Sequence, residues 1–155
     1  QSQNRTPAAP PPSGPEYLLV DGYNVIFAWD ELKKIAAENL DAARRRLMDI
    51  LCNYAGYRKC VPILVFDAYR VKGAGREQET WHNLHVIYTR EAETADMFIE
   101  RATHELAKNH RVRVVSSDGA EQIIILGNGA LRVSARAFER EVRAVEAEIR
   151  EFLDQ

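Results

Sequence analysis

Four short apolar runs, each about the length of a β-strand, end at or shortly before an aspartate. Tyr17-Leu-Leu-Val20 runs into Asp21, Val61-Pro-Ile-Leu-Val-Phe66 into Asp67, and Val112-Arg-Val-Val-Ser-Ser117 into Asp118. Leu84-His-Val-Ile-Tyr-Thr89 is followed a few residues on by Asp96, which opens a helical pattern. Between the runs lie segments with apolar residues at helical spacing, such as Ala43, Leu47, Ile50, Leu51 and Tyr54. Strands alternating with helices make a parallel sheet covered on both faces. The carboxyl ends of parallel strands share one edge, and ligands bind there. The aspartates are therefore expected to converge on that edge.

The pattern predicts strands at about 17–20, 61–66, 84–89 and 111–116, with a short fifth at Leu131-Arg-Val133. Helices are predicted near 30–37, 41–57, 94–109, 119–127 and 135–153, the fourth of these ending at Gly127. In helix 94–109 the inner side is assigned to Met97, Ile99, Ala102 and Leu106. The last helix repeats Phe138, Val142, Val145, Ile149 and Phe152 at spacings of four and three, which suits packing on the sheet or a coiled-coil dimer. Residues 68–83 break the rhythm with Gly73, Gly75 and three basic residues, and a loop of that length is often functional. A short helical turn is expected at Glu77–Trp81.

Residues 1–15 hold five of the six prolines and almost no apolar bulk. Such a segment cannot offset its ordering entropy and reads as a semi-extended linker, with the folded domain at 16–155. The first residue is Gln, so the chain is expected to be the C-terminal piece of a longer protein; a disordered tail on a processed stand-alone protein is the other reading. The net charge of −2 neither announces nor excludes a polyanion binder. Cys52 and Cys60 form no CxxC and read as reduced thiols of a cytoplasmic protein. No apolar stretch is long enough to span a membrane, and the start lacks a signal-peptide core.

An aspartate after a parallel strand also serves as a helix cap, and one in a helix's first turn suits the macrodipole. Four on separate strand connections point further, because clustered carboxylates repel one another unless a cation neutralises them. Hard divalent cations take such oxygen ligands and complete their shell with phosphate and water. Asn24, three residues beyond Asp21, can orient a water or phosphate, or form an Asx-turn at a helix entry. Gly22 and Ala68 are expected to leave space beside Asp21 and Asp67. No Gly-x-Ser-x-Gly elbow, GxxxxGK[ST] loop or HExxH pair is present. The chemistry left is metal-assisted hydrolysis of a phosphodiester.

Val20-Asp-Gly-Tyr-Asn-Val-Ile26, Val65-Phe-Asp-Ala-Tyr69, Glu91-Ala-Glu-Thr-Ala-Asp96 and Ser116-Ser-Asp118 resemble, in order and spacing, the NYN domain of the PIN-like nucleases, in its YacP-like branch. The resemblance covers about residues 17–150. It implies an α/β PIN-like fold, three layers α/β/α around a mainly parallel sheet, and a Mg²⁺- or Mn²⁺-dependent endoribonuclease. The metal set maps onto Asp21, Asp67, Asp96 and Asp118, with Asn24 and Ser117 nearby and Glu93 in the matching segment. Relatives in this branch are associated with translating ribosomes and mRNA cleavage. Similar domains also occur behind translational GTPases of the ribosomal-protection type, which suits a Pro-rich linker.

A single-stranded RNA substrate must meet basic and aromatic groups. Arg70, Lys72 and Arg76 border the acidic edge and are the main candidates, while Arg44-Arg-Arg46 reads first as a solvated helix face. Tyr23 and Tyr69 flank the site and can stack on bases; Trp81 can do so or anchor the loop. A non-catalytic RNA- or ribosome-binding module and a small-molecule phosphatase are the competing functions.

Overall fold

The computed structural model describes residues 13–68, 77–116, 124–125 and 127–155. The elements run β1 (Tyr17–Asp21), α1 (Gly22–Ala28), α2 (Asp30–Glu38), α3 (Leu40–Arg58), β2 (Val61–Phe66), β3 (Glu77–Trp81), β4 (Leu84–Tyr88), α4 (Ala95–Leu106), β5 (Val112–Val115), β6 (Ile124–Ile125), β7 (Leu131–Val133) and α5 (Ala135–Leu153). The sheet order is β3-β4-β2-β1-β5-β7-β6. The five central strands are all parallel, and β3 and β6 pair antiparallel to their neighbours at the two edges. This is the α/β architecture that the alternating pattern predicts.

The alternation of side chains along each strand builds two cores. Leu18 and Val20 of β1 join Leu64, Phe66 and Val86 on one face, under α1, α3 and α5. Leu19 joins Val65, Ile87 and Val114 on the other, under Phe98 and Ile99 of α4. Both faces are dry, so the central strands carry near-continuous apolar runs. The larger core is tied across the chain by Trp29, whose Nε1–H donates to the Ala135 carbonyl at 2.8 Å.

Helix starts are set by side-chain caps. Asp21, Asn39, Thr94 and Ser134 each accept from a backbone N–H in the first turn of α1, α3, α4 and α5.

Four expectations are corrected. Glu77–Trp81 is a strand, not a helical turn; it folds back on β4 through His82, which takes a positive φ of 56°. Ile124 and Ile125 form β6 against β7 rather than part of a helix, and Gly127 lies in the turn between those strands. Helix α1 begins directly after Asp21, although the sequence pattern starts its first helix only near residue 30. In α4, Met97 points outward at 52% exposure, and Phe98 takes the inner position. The last helix packs Phe138, Val142 and Val145 on the sheet side, while Phe152 is 68% exposed.

Candidate active site

Asp21, Asp67 and Asp96 lie at the carboxyl edge of the sheet, each placed by a local rule. Asp21 ends β1 and caps α1. Its carboxylate accepts from the Asn24 backbone N–H at 3.4 Å and from the Asn24 side-chain amide at 2.6 Å. A one-turn spacing lets Asn24 reach back, so Asn24 orients this carboxylate as a helix-entry cap. Asp21 is 6% exposed. Burial pushes its carboxyl up, the two Asn24 hydrogen bonds pull it down, and the charges of Asp67 and Asp96 push it up again, to about 6 from an ordinary 3.8. Asp67 and Asp96 thus both act electrostatically on Asp21.

Asp67 follows β2. The Ala95 N–H donates to Asp67 Oδ1 at 2.5 Å, which fastens the first turn of α4 to the end of β2. Thr94 caps the same helix through the Met97 N–H. Asp96, the next residue after Ala95, is therefore carried alongside Asp67 and is solvent-exposed. An oxygen-only donor set of this charge fits a hard divalent cation. Among the described residues, however, no three Asp, Glu, His or Cys side chains stand together as a finished metal cage. Asp118 lies outside the described residues.

Several candidates have other employment. Tyr23 is buried at 5% exposure, with its ring against Phe66 at 4.9 Å and its hydroxyl accepting from Arg44 Nη1 at 3.0 Å. A ring so enclosed has no face for a base, so Tyr23 packs the site rather than stacking on RNA. Arg44 is held by Tyr23 and Asp41, Arg45 pairs with Asp41, and Arg46 pairs with Glu31. That run is a paired helix face. Glu93 is bound to Arg101. Trp81 packs against the larger core and accepts from Cys52 Sγ at 3.5 Å, which makes it an anchor for the β3–β4 hairpin. The space beside Gly22 is filled by the Phe66 ring rather than open. Tyr69, Arg70, Lys72, Arg76 and Ser117 lie outside the described residues.

The sequence pattern misses one feature. A groove of about 470 Å³ opens beside Asp96, with Ser116 and Arg132 on its far side. Arg132 Nε donates to Ser116 Oγ at 3.1 Å, and Ser116 N–H donates to the Val133 carbonyl at 3.1 Å. A positive charge is thus fixed at the exit of β5. The signal was an arginine in the middle of a three-residue apolar strand, Leu131-Arg-Val133, which has no packing reason to be charged. Among the described residues, no helix is long and apolar enough to cross a membrane.

The family model of the YacP-like NYN domain matches residues 18–155. "Uncharacterized protein YacP" of Bacillus subtilis (strain 168) is 44% identical over 135 residues, covering 86% of this chain and 79% of the relative. The crystal structure of Rae1 (YacP) from Bacillus subtilis superimposes with a TM-score of 0.74 at 42% identity, covering 89% of this chain and 79% of that one. A mutant of the same protein gives a TM-score of 0.73 at 40% identity over 88% of this chain and 80% of that one. The chain belongs to the YacP-like NYN family, and its fold is that of a PIN-like, nuclease-like domain.

Proposed function

We propose that this domain is a divalent-metal-dependent endoribonuclease that hydrolyses phosphodiester bonds of single-stranded RNA, with translated mRNA at the ribosome in the cytoplasm as its substrate. The observation that carries this reading is Asp21. A carboxylate whose proton affinity is raised first by burial and further by two neighbouring carboxylates is costly to keep charged without a cation. Membership of a nuclease-like family supports the same chemistry.

Asp21, Asp67, Asp96 and Asp118 would hold Mg²⁺ or Mn²⁺, which lowers the pKa of a bound water and neutralises charge on the phosphate. Asn24 keeps Asp21 oriented, and the Ala95 N–H does the same for Asp67. Arg132 supplies a fixed positive charge beside the edge. Arg70, Lys72 and Arg76 are proposed to draw in the RNA backbone, with Tyr69 and Ser117 close to the strand. A domain attached through the Pro-rich segment would enter at the opposite edge. There Arg111 Nη2 donates to the Gly14 carbonyl at 2.5 Å and Arg113 pairs with Glu16 at 3.1 Å. A translational GTPase fused in this way would leave the acidic edge open.

The competing reading is a non-catalytic RNA- or ribosome-binding module with the same fold. A paired experiment separates the two. Cleavage and binding of a labelled single-stranded RNA are measured with Mg²⁺ or Mn²⁺, with and without ribosomes, for the wild type and Asp21→Asn. Loss of cleavage with retained binding in the variant supports the nuclease. A wild type that binds RNA and never cuts it supports the binding module.

A further inference from the structure

The groove beside Asp96 follows from how the second face of the sheet is covered. Among the described residues α4 is the one helix on that face, and it lies over β1, β2 and β5. The sheet continues beyond β5 to β7 and β6, and Arg132 of β7 sits in register with Val114. The flank of α4 and the strip of β5 and β7 that no described helix covers therefore form two walls with a gap between them. The gap measures about 470 Å³, within the roughly 300–1,000 Å³ of small-ligand pockets.

Its lining is two-sided. Ile99 and Val114 give an apolar floor. Thr103, Asn128 and Glu100 give polar groups. Thr103 is 3% exposed, and its hydroxyl has no hydrogen-bond partner among the described residues. A buried hydroxyl without a partner is unfavourable, and a ligand that hydrogen-bonds to it removes the penalty. The Glu100 carboxylate offsets the one cation among the described lining residues, Arg132, so the groove suits a neutral, flat group with hydrogen-bonding edges rather than a phosphate. An unpaired RNA base has that character.

We infer that this groove is a base-reading subsite, receiving one splayed base of single-stranded RNA beside the phosphate held at the acidic edge. The inference rests on the ribonuclease reading and adds a source of sequence preference to it. The Glu100 carboxylate accepts from an exocyclic amine, so adenine, cytosine and guanine are favoured. Uracil presents its single N–H between two carbonyl oxygens, which the carboxylate repels. Thr103 and Asn128 complete the edge contacts, and the ribose-phosphate leaves toward Asp96.

Two measurements on the full chain test this. In the first, the cut sites in a randomised single-stranded RNA pool are sequenced in Mn²⁺ for the wild type, Thr103→Val and Glu100→Gln. In the second, the four nucleoside 5′-monophosphates are titrated while the Ile99 and Val114 methyl resonances are followed. The wild type should disfavour uracil at one position next to the cut, and Glu100→Gln should flatten that position. Thr103→Val removes an unpartnered hydroxyl, so it should melt no lower than the wild type while binding adenosine 5′-monophosphate about three- to tenfold more weakly. Cleavage with the same base preference in all three proteins, and no methyl shift, overturns the subsite and leaves the ribonuclease intact. Methyl shifts that Thr103→Val weakens, in a protein that cuts no RNA either with or without ribosomes, uphold the subsite and overturn the ribonuclease. Neither shifts nor cleavage under either condition overturns both.

Discussion

A Cβ on Gly22 would lie 2.3 Å from Cε1 of Phe66, well inside contact distance. Gly22 follows Asp21 and Phe66 precedes Asp67, so the closeness of the strand-to-helix turn to this ring sets how near the two carboxylates stand. In a helix, Gly→Ala is ordinarily favourable by up to about 1 kcal/mol. Here the added methyl must push the ring aside, and overpacking of this kind costs about 1–3 kcal/mol. Gly22→Ala is therefore expected to destabilise in urea melts, and Phe66→Leu in the same chain to restore part of the loss. A Gly22→Ala protein as stable as the wild type would mean that Phe66 moves freely, and that the turn does not fix the site.

Asp21 makes stability depend on pH in a direction opposite to that of a salt-bridged carboxylate. Its folded pKa, about 6, stands above the ordinary 3.8, so between those values the folded state holds more proton than the unfolded one. Stability then falls as pH rises through that window. The penalty is absent below it and full above it, about 3 kcal/mol for a shift of this size. Asp21→Asn removes the charge, so in chelator it should be more stable than the wild type at pH 8, with the difference vanishing near pH 3. Mn²⁺ should raise the melting temperature of the wild type at pH 8 through binding linkage and leave the variant unmoved. Equal melts of the two proteins at pH 8 in chelator would remove the electrostatic case for a cation here.

Much of this arrangement is legible in the sequence, because parallel strands buried on both faces carry apolar runs that stand out. Asp21 and Asp67 are placed by strand ends, which the runs mark, and Asp96 by the start of the helix that follows β4. Helix α1 is missed because Gly22-Tyr-Asn-Val-Ile-Phe-Ala28 is short, lacks acidic residues in its first turn and opens on a glycine. The β3 strand is missed because Glu77-Gln-Glu-Thr80 carries little apolar signal and pairs on one side only, with β4. Tyr23 reads as a base platform because its spacing shows only that it is near Asp21. That its ring turns inward depends on Phe66, which is 43 residues away in sequence. Arg132 within its short strand is the one sequence signal of the Asp96 groove; the groove's shape is not legible, since it is the gap between α4 and the strip of β5 and β7.

Basic residues of the segment after Asp67 are expected to supply the salt-dependent part of RNA binding. Replacing Arg70, Lys72 and Arg76 together by Ala removes up to three charges that can neutralise phosphates. The slope of log affinity against log salt should become shallower by roughly 0.7 for each single-strand phosphate that is no longer neutralised. Binding titrations with catalytically silenced Asp21→Asn protein at several salt concentrations measure it without cleavage. An unchanged slope would move the RNA path to other cations. Arg44 and Arg46 are poor substitutes, because Tyr23, Asp41 and Glu31 already hold them.

At the opposite edge of the sheet, Arg113 joins Glu16, Glu141 and Tyr54. Its guanidinium pairs with Glu141 at 2.7 Å and Glu16 at 3.1 Å, and donates to the Tyr54 hydroxyl at 3.2 Å. Burial alone would raise the Glu141 carboxyl, but hydrogen bonds from Tyr54 and Arg113 outweigh it and hold the group below its ordinary range. A carboxyl with a depressed folded pKa contributes stability above its unfolded value, near 4.5, and that contribution is lost as pH falls through the folded one. Arg113→Met leaves two carboxylates facing each other without their cation. The side chains are partly exposed, so the expected cost is about 2–3 kcal/mol at pH 7, less than for a fully buried pair. The gap to the wild type should narrow as pH falls from about 4.5 through the depressed folded pKa of Glu141, where that carboxyl takes up its proton. Glu141→Gln in the same chain should recover part of the loss at pH 7. RNA cleavage measured well below the melting temperature should be unchanged, because the network sits at the far end of the strands from Asp21. A gap that stays constant down to pH 3 would assign the loss to packing of the arginine stem rather than to its charge.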